Sequence, residues 1–321
     1  MLLLEHLLKQ KYKTQVGGNI GIPVFDLDDS NNFDNEILII ECSSYMLADT
    51  FKFHPNIMII TNVYPNHLDH HITFDHYLNS KIKCLNNMDI NDTVFSLKSL
   101  DNIIDKNNCQ KIYLNDLKEF KILNNELYYR EKVILNNYSN ILLGEHNLYN
   151  LWFSLKVCEL LKVEISEGIL NNFCKPKYRF TEAFKDSKVT IYNDSKSTNF
   201  YSLIKAIESL KNRCLPIHWI GGGQDRGEDW ESLSDVFQYI SFAYVYGENK
   251  NRIIRVLENK KIPYIKGDTL KEVIDKLEIK EKVIILFSPG APSLDQFNSY
   301  IERGDYFDTV IKEKIQKNKD A

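Results

Sequence analysis

No apolar run in the 321 residues approaches the length that crosses a bilayer. The opening M-L-L-L-E-H-L-L-K-Q-K has no basic n-region and no small-residue cleavage site, so it reads as an amphipathic helix rather than a signal peptide. The six cysteines (Cys42, Cys84, Cys109, Cys158, Cys174, Cys214) form no C-x-x-C pair and no cluster. That pattern fits reduced thiols in a cytoplasmic protein. Basic residues are not in excess: net charge is −4, which implies no general attraction to nucleic acid or an anionic membrane. No internal repeat and no long disordered segment stands out. What is present is ordinary for a globular chain, 43% hydrophobic and 26% charged, and long enough for two domains.

Continuous apolar runs alternate with helical patterns, which predicts parallel α/β sheets. In the first part, strands are expected at 12–16, 37–40 and 57–61. A helix is expected at roughly 74–86 and a longer one over 145–161. The region 89–138 reads as short strands and turns, with no functional signal. Pro176 breaks the helical pattern, which places a boundary near 172–178. The alternation then resumes, with strands at 189–192, 217–220, 242–246 and 283–287. Helices are expected from Phe200 onward and near 249–259 and 270–277. This is a second, smaller doubly wound unit.

The densest polar stretch is Y-N-D-S-K-S-T-N (192–199), between a strand and a helix. Open α/β sheets bind ligands at such strand ends, where free helix-start amides favour anions. A helix cap would use one Ser, Asp or Asn, and would not explain Lys196, a cation at the helix end that prefers anions. Other strand ends carry Glu41-Cys42-Ser43-Ser44, N-V-Y-P-N-H-L-D-H-H (62–71), W-I-G-G-G-Q-D-R-G (219–227) and F-S-P-G-A-P-S-L-D-Q-F (287–297). Glu41 could hold Mg²⁺ beside phosphate oxygens, or be a solvated strand-end carboxylate. His67 has Asp69 and His70 close by. Lys81 alone would be a surface lysine. Asn147 and Asn150 share a helix face and suit a base edge or a phosphate, or a cap. Arg226 could pair bidentately with a carboxylate, and Ser293 with the Leu294 amide could bind another. Several anion-binding loops in one small domain point to a multiply charged small ligand.

Together G-N-I-G, E-C-S-S, N-x-x-x-N-H-L-D, G-E-H-N-x-x-N, Y-R-F, N-D-S-K-S-T-N, G-G-x-x-D-R-G and S-P-x-x-x-S-L-D-Q-F resemble the Mur ligase family across essentially the whole chain. The last motif favours the D-glutamate-adding branch over those adding L-alanine or a diamino acid. The resemblance implies an α/β fold, a truncated Mur ligase central ATPase-type domain (1–174) and a C-terminal Rossmann-like doubly wound domain (175–321). It implies an ATP-dependent cytoplasmic amide ligase of peptidoglycan precursor synthesis, joining D-glutamate to UDP-N-acetylmuramoyl-L-alanine through an acyl phosphate, with Mg²⁺ as cofactor and ATP as substrate. By motif match Glu41 would hold Mg²⁺ and His67 would lie near a second Mg²⁺. Lys81 matches the family lysine that becomes a metal-binding carbamate. Lys81, His67 and Lys196 would be the catalytic set. Asn19 and Ser43 would touch the muramoyl substrate, and Asn147, Asn150, Arg179 and Asp194 would contact ATP. Lys196, Thr198, Arg226, Ser293, Leu294 and Tyr300 would hold D-glutamate. No nucleic-acid or membrane partner is implied.

Two departures stand out. Met46 replaces a usually polar residue. The family's uridine-binding module and its phosphate loop, G-T-x-G-K-S/T, are not matched, for the only glycines before residue 140 are Gly17, Gly18 and Gly21. The chain is therefore expected to start within the central domain, with a separate chain as one source of the rest. One reading is a ligase chain impaired or inactive alone. The alternative is a non-catalytic remnant, or a D-glutamate- and nucleotide-binding fragment of a split ligase. A folate-type amide ligase is a third, opposed by S-L-D-Q-F. The expected result is that the purified 321-residue chain alone does not transfer the ATP γ-phosphate at useful rates. Phosphate release dependent on both ATP and D-glutamate would overturn that expectation.

Overall fold

The structure, a computed structural model, describes residues 1–19, 21–27, 36–64, 68–105, 107–142, 144–233 and 235–320. The chain divides into two compact units, Met1–Cys174 and Lys175–Ala321. None of the described helices is long and apolar enough to cross a membrane.

The first unit begins with helix α1 (Leu2–Leu8), whose Leu3, Leu4, Leu7 and Leu8 are buried at helical spacing. Strands β1 (Lys13–Gly18) and β2 (Glu36–Glu41) pair in parallel, with Val16 opposite Ile39 and Gly18 opposite Glu41. Helix α2 (Ser44–Ala48) follows, then β3 (Ile57–Ile60), α3 (Leu68–His71) and α4 (Phe74–Ile82). Strand β4 (Thr93–Leu97), α5 (Asp101–Ile104) and β5 (Gln110–Leu114) complete a second parallel sheet, β3-β4-β5. The parallel strands expected from the sequence thus form two sheets here. The 74–86 helix also divides: after Ile82 the chain tightens into a 3₁₀ turn, Lys83–Asn87. There Asn87 donates its amide to the carbonyls of Phe51 and Phe53, at 3.0 and 2.9 Å, instead of extending the helix.

Strands β6 (Phe120–Leu123), β7 (Glu126–Tyr129) and β8 (Lys132–Leu135) form an antiparallel meander. Helices α6 (Tyr138–Ile141) and α7 (Glu145–Leu160) close the unit. Helix α7 is buried along most of its length, by Leu148, Leu151, Trp152, Phe153, Leu155, Val157 and Cys158, in a core shared with α1, β2 and the meander. Glu119 clasps meander to helix. It accepts from Arg130, from Trp152 Nε1 at 2.9 Å and from Lys156 at 2.8 Å.

The second unit is one sheet in the order β13-β12-β11-β14-β10-β9. In chain order come β9 (Thr181–Lys185), β10 (Val189–Asn193), α8 (Phe200–Leu210), β11 (Ile217–Gly222), β12 (Phe242–Tyr246), α9 (Lys250–Asn259), β13 (Tyr264–Lys266), α10 (Leu270–Asp275), β14 (Val283–Phe287) and α11 (Tyr300–Asp320). Only β9 runs antiparallel, along β10. All five residues of β14 are buried, as a central strand covered on both faces requires. Ile191, Ile285 and Phe287 pack on one face with α10 and with Phe307, Val310 and Ile311 of α11. Trp219 meets Trp230 and Phe237 in tilted ring contacts elsewhere in the unit, at centroid distances of 6.3 and 5.4 Å. Strand β14 lies between β10 and β11, so the carboxyl ends of these three strands share one edge at the point where strand order reverses.

Helix α11 reaches that edge through a close approach: a Cβ on Gly304 would lie 2.4 Å from the ring of buried Tyr178. Gly304→Ala is therefore expected to destabilise the second unit by ~1–3 kcal/mol through overpacking. Urea unfolding reads this, and an unchanged midpoint would refute it.

Candidate functional site

In the first unit Asn19, Glu41 and Ser43 come together at the ends of β1 and β2. The Asn19 amide donates to the Glu41 carbonyl at 2.8 Å, and its side chain reaches Glu41 Oε1 at 3.4 Å. This crossing needs Gly18, at φ 112°, where a Cβ would lie 2.3 Å from the Glu41 carbonyl oxygen. Ser43 caps α2, its hydroxyl accepting from the Met46 amide at 3.1 Å. Lys81, on α4, is half-buried with its ammonium 5.2 Å from the Tyr77 ring centroid. Burial lowers its pKa and the nearby Glu41 charge partly restores it. His67 lies outside the described residues. Four residues further along the chain His71 is fully buried, its Nε2 2.9 Å from Ser44 Oγ, which ties α3 to the start of α2. Asn147 and Asn150 sit in the first turns of α7, both half-buried.

In the second unit the loops after β10, β11 and β14 are laced together. The Asp194 amide donates to the Phe287 carbonyl at 2.7 Å, and Gly290 donates to Ser197 at 3.0 Å. Gly222 and Gln224 donate to the carbonyls of Pro289 and Pro292, both at 3.0 Å. The Lys196 ammonium stands 4.1 Å over the Tyr300 ring, so two predicted residues from different loops meet. Thr198 is half-buried beside them in sequence, ahead of the Asn199 cap of α8. Ser293 is 3% exposed and its carbonyl accepts from Gln296 and Phe297, while Leu294 points outward at 57% exposure. Arg226 is exposed, its amide donating to Glu228 at 3.2 Å and its side chain reaching Gln224 at 3.4 Å.

Arg179 is placed by its neighbours. Tyr178 and Phe180 have left-handed φ values of 58° and 52°, and both are buried. The Tyr178 hydroxyl bonds Asp305, and the Phe180 ring stacks on Tyr192 at 4.8 Å. Arg179 between them is left exposed. Sequence reasoning missed these anchors, and it missed Asn193, Ser195 and Arg303. Asn193 is fully buried and donates to Gly304 and Asp308 at 3.0 and 2.7 Å. Arg303 heads the stripe Phe307, Val310, Ile311, Ile315 on α11, and a charge in line with an apolar face was the available signal.

A family profile described as the Mur ligase middle domain matches residues 3–158. UDP-N-acetylmuramoylalanine–D-glutamate ligase of Oenococcus oeni is 31% identical over 97% of this chain and 73% of its own length. The protein of that name from Hydrogenobaculum sp. is 31% identical over 96% and 74%. Among solved structures, a MurF ligase from Thermotoga maritima in complex with ADP shares the fold at TM-score 0.70 with 17% identity, covering 98% of this chain and 77% of that one. A Thermotoga maritima UDP-N-acetylmuramate–alanine ligase, MurC, aligns at TM-score 0.65 with 14% identity, over 99% and 72%.

Asp194 is a buried carboxyl at this edge whose ionisation is shifted by its surroundings. It is 7% exposed, and accepts from the Phe180 amide at 3.0 Å and the Ser288 hydroxyl at 2.8 Å. Burial pushes its pKa up to about 7, against the opposing pull of those donors and of Arg179 and Lys175. Burial also brings Lys175 down to about 8. A carboxyl raised from about 3.9 takes up a proton on folding, so this stabilising contribution is full below ~4 and is lost as pH rises to about 7. Carboxyl ¹³C NMR is expected to show Asp194 titrating near neutrality, and Asp194→Asn to remove that fall in stability between pH 4 and 7. Titration near 4 would refute this.

Proposed function

The chain belongs to the Mur ligase family, and we propose that it is the D-glutamate-adding member, working on UDP-N-acetylmuramoyl-L-alanine with ATP in cytoplasmic peptidoglycan precursor synthesis. The observation that carries this reading is the convergence of three strand-end loops on one edge of the second unit, with Lys196 against Tyr300. A dicarboxylate amino acid needs several cationic and hydroxyl groups held together. Lys196, Thr198, Arg226, Ser293, Tyr300 and the Leu294 amide are assigned that task. The relatives named for D-glutamate support the choice of amino acid.

The chemistry is set by the substrates. An oxygen of the muramoyl-alanine carboxylate attacks the γ-phosphorus of ATP and ADP leaves. The D-glutamate amine then attacks the acyl carbon, phosphate departs, and the nitrogen loses a proton. Positioning and charge neutralisation dominate such transfers. Asn147, Asn150 and exposed Arg179 are assigned to ATP. Asp194 joins them through the loop it holds, because both its oxygens already accept hydrogen bonds. Asn19 and Ser43 are assigned to the muramoyl substrate.

Glu41 fits a hard cation: it is a strand-end carboxylate whose Oε1 takes a long 3.4 Å bond from Asn19. Glu41, carbamylated Lys81 and His67 would hold Mg²⁺, which when bound neutralises phosphate oxygens. Lys81 suits the modification, since burial favours the neutral amine that reacts with carbon dioxide. No G-x-x-G-K-S/T loop occurs in the 321 residues, so this reading assigns a triphosphate cradle to none of them. That absence favours one second reading, a D-glutamate- and nucleotide-binding chain without ligation of its own.

Equilibrium dialysis with labelled D-glutamate, L-alanine and a diamino acid tests the specificity. D-glutamate is expected to bind best, and Lys196→Ala to weaken it at least tenfold, the scale of one charge-assisted hydrogen bond. Preference for either other amino acid, or unchanged affinity in Lys196→Ala, would overturn the assignment.

A further inference from the structure

Arg303 is fully buried on the first turn of α11, among the loops after β10, β11 and β14 but without a role in the chemistry assigned to them. Its guanidinium donates from three nitrogens. Nε reaches Ser195 Oγ at 3.0 Å, Nη2 reaches the Ser195 carbonyl at 2.7 Å, and Nη1 reaches the Ala291 carbonyl at 2.9 Å. Two loops are thereby fixed by one rigid fork: Ser195 precedes Lys196, and Ala291 lies two residues before Ser293. A third loop leans on the same group, since a Cβ on Gly223 would lie 3.3 Å from Nη1 and 2.4 Å from the Pro292 carbonyl. Ser195 Oγ in turn donates to the Tyr300 carbonyl at 2.8 Å, which closes the circuit onto the start of α11.

All three of these acceptors are neutral oxygens; the Asp295 and Asp194 carboxylates offset the buried charge from nearby without a direct ion pair, so they do not account for the aim of the fork. A hydrophobic side chain would fill the space without the desolvation penalty. What an arginine adds is planar geometry, with donors aimed at fixed angles toward separate strands of chain. We infer that Arg303 is a positioning residue for amino-acid recognition, a buried fork that sets the spacing between Lys196, on the loop after β10, and Ser293–Leu294, on the loop after β14. It touches no substrate, and its effect passes through Ser195 and Ala291. The inference rests on the reading that these loops hold D-glutamate.

The test uses the full chain and two readouts, amide hydrogen exchange and D-glutamate affinity. Arg303→Lys keeps the charge but a single ammonium cannot span all three acceptors. Exchange at 194–199, 221–224 and 288–293 is expected to accelerate together at least tenfold, with α9 unchanged. The dissociation constant for D-glutamate is expected to rise at least tenfold. In Arg303→Ala, added methylguanidinium is expected to restore part of both. Uniform acceleration across the second unit with unchanged D-glutamate affinity would show a purely structural role and overturn the proposal. If Arg303→Lys does not fold, Ser195→Ala keeps the fork's two carbonyl acceptors and removes the hydroxyl that accepts from Nε and donates to Tyr300. It should accelerate exchange in the 194–199 and 288–293 loops at least threefold, and no change there would also overturn it. Wild-type protein that fails to bind D-glutamate, with the exchange pattern as described, would sink the functional reading while supporting the fork.

Discussion

Strands β10 and β14 lie side by side in parallel, Asn193 opposite Phe287, and the Asp194 carboxylate ties their carboxyl ends to the start of β9. One oxygen takes the amide of residue 180, on the segment before β9, and the other takes the hydroxyl of Ser288. Three segments distant in sequence thus end on one side chain. Its cost is visible in the raised pKa, because two neutral donors and two nearby cations do not replace full hydration. A buried carboxylate in that state is a geometric device first. Asparagine could accept once through its carbonyl, whereas a carboxylate accepts at both oxygens without presenting a donor to the Phe180 amide.

The arm it holds is locally strained. Left-handed φ values at Tyr178 and Phe180 each cost roughly 1–2 kcal/mol relative to ordinary backbone. Burying two aromatic side chains offsets that, at about 1.5–3 kcal/mol each. The Lys196 amide adds a bond to the Tyr178 carbonyl at 2.9 Å. The arm and the Lys196 loop therefore share their backbone bonding, and exposed Arg179 keeps a fixed place relative to Lys196 within the unit.

Much of this was legible in the sequence, for physical reasons that differ by element. Strands β12 and β14 were read to the residue, because a strand covered on both faces is an unbroken apolar run. The polar runs after β10, β11 and β14 marked the loops that the sheet brings to one edge, since such density at strand ends exceeds any need for caps. The first unit was harder. A local pattern shows that Ile37–Ile40 and Ile57–Ile60 are strands, but not that they belong to different sheets, which depends on pairing between distant residues. The meander around Glu119 was equally silent, because its clasp needs Arg130, Trp152 and Lys156 at separations no local period reveals. Lys81 could be singled out only by resemblance: its burial and its nearness to Glu41 are tertiary facts.

Arg303 shows the limit from the other side. Read along α11, an arginine in line with Phe307, Val310 and Ile311 looks like a flaw in an amphipathic face. In the folded unit that position lies above the carboxyl edge of the sheet, where backbone carbonyls of two loops converge with no partner of their own in a strand or helix. Buried carbonyls must be satisfied, and a guanidinium can reach several at once. The side chain that breaks the helix pattern is therefore what the loop pattern requires. The conflict between the two is resolved at the edge where Lys196, Tyr300 and Ser293 are placed. Local rules yield there because the loops, rather than the helix, set what residue 303 must do.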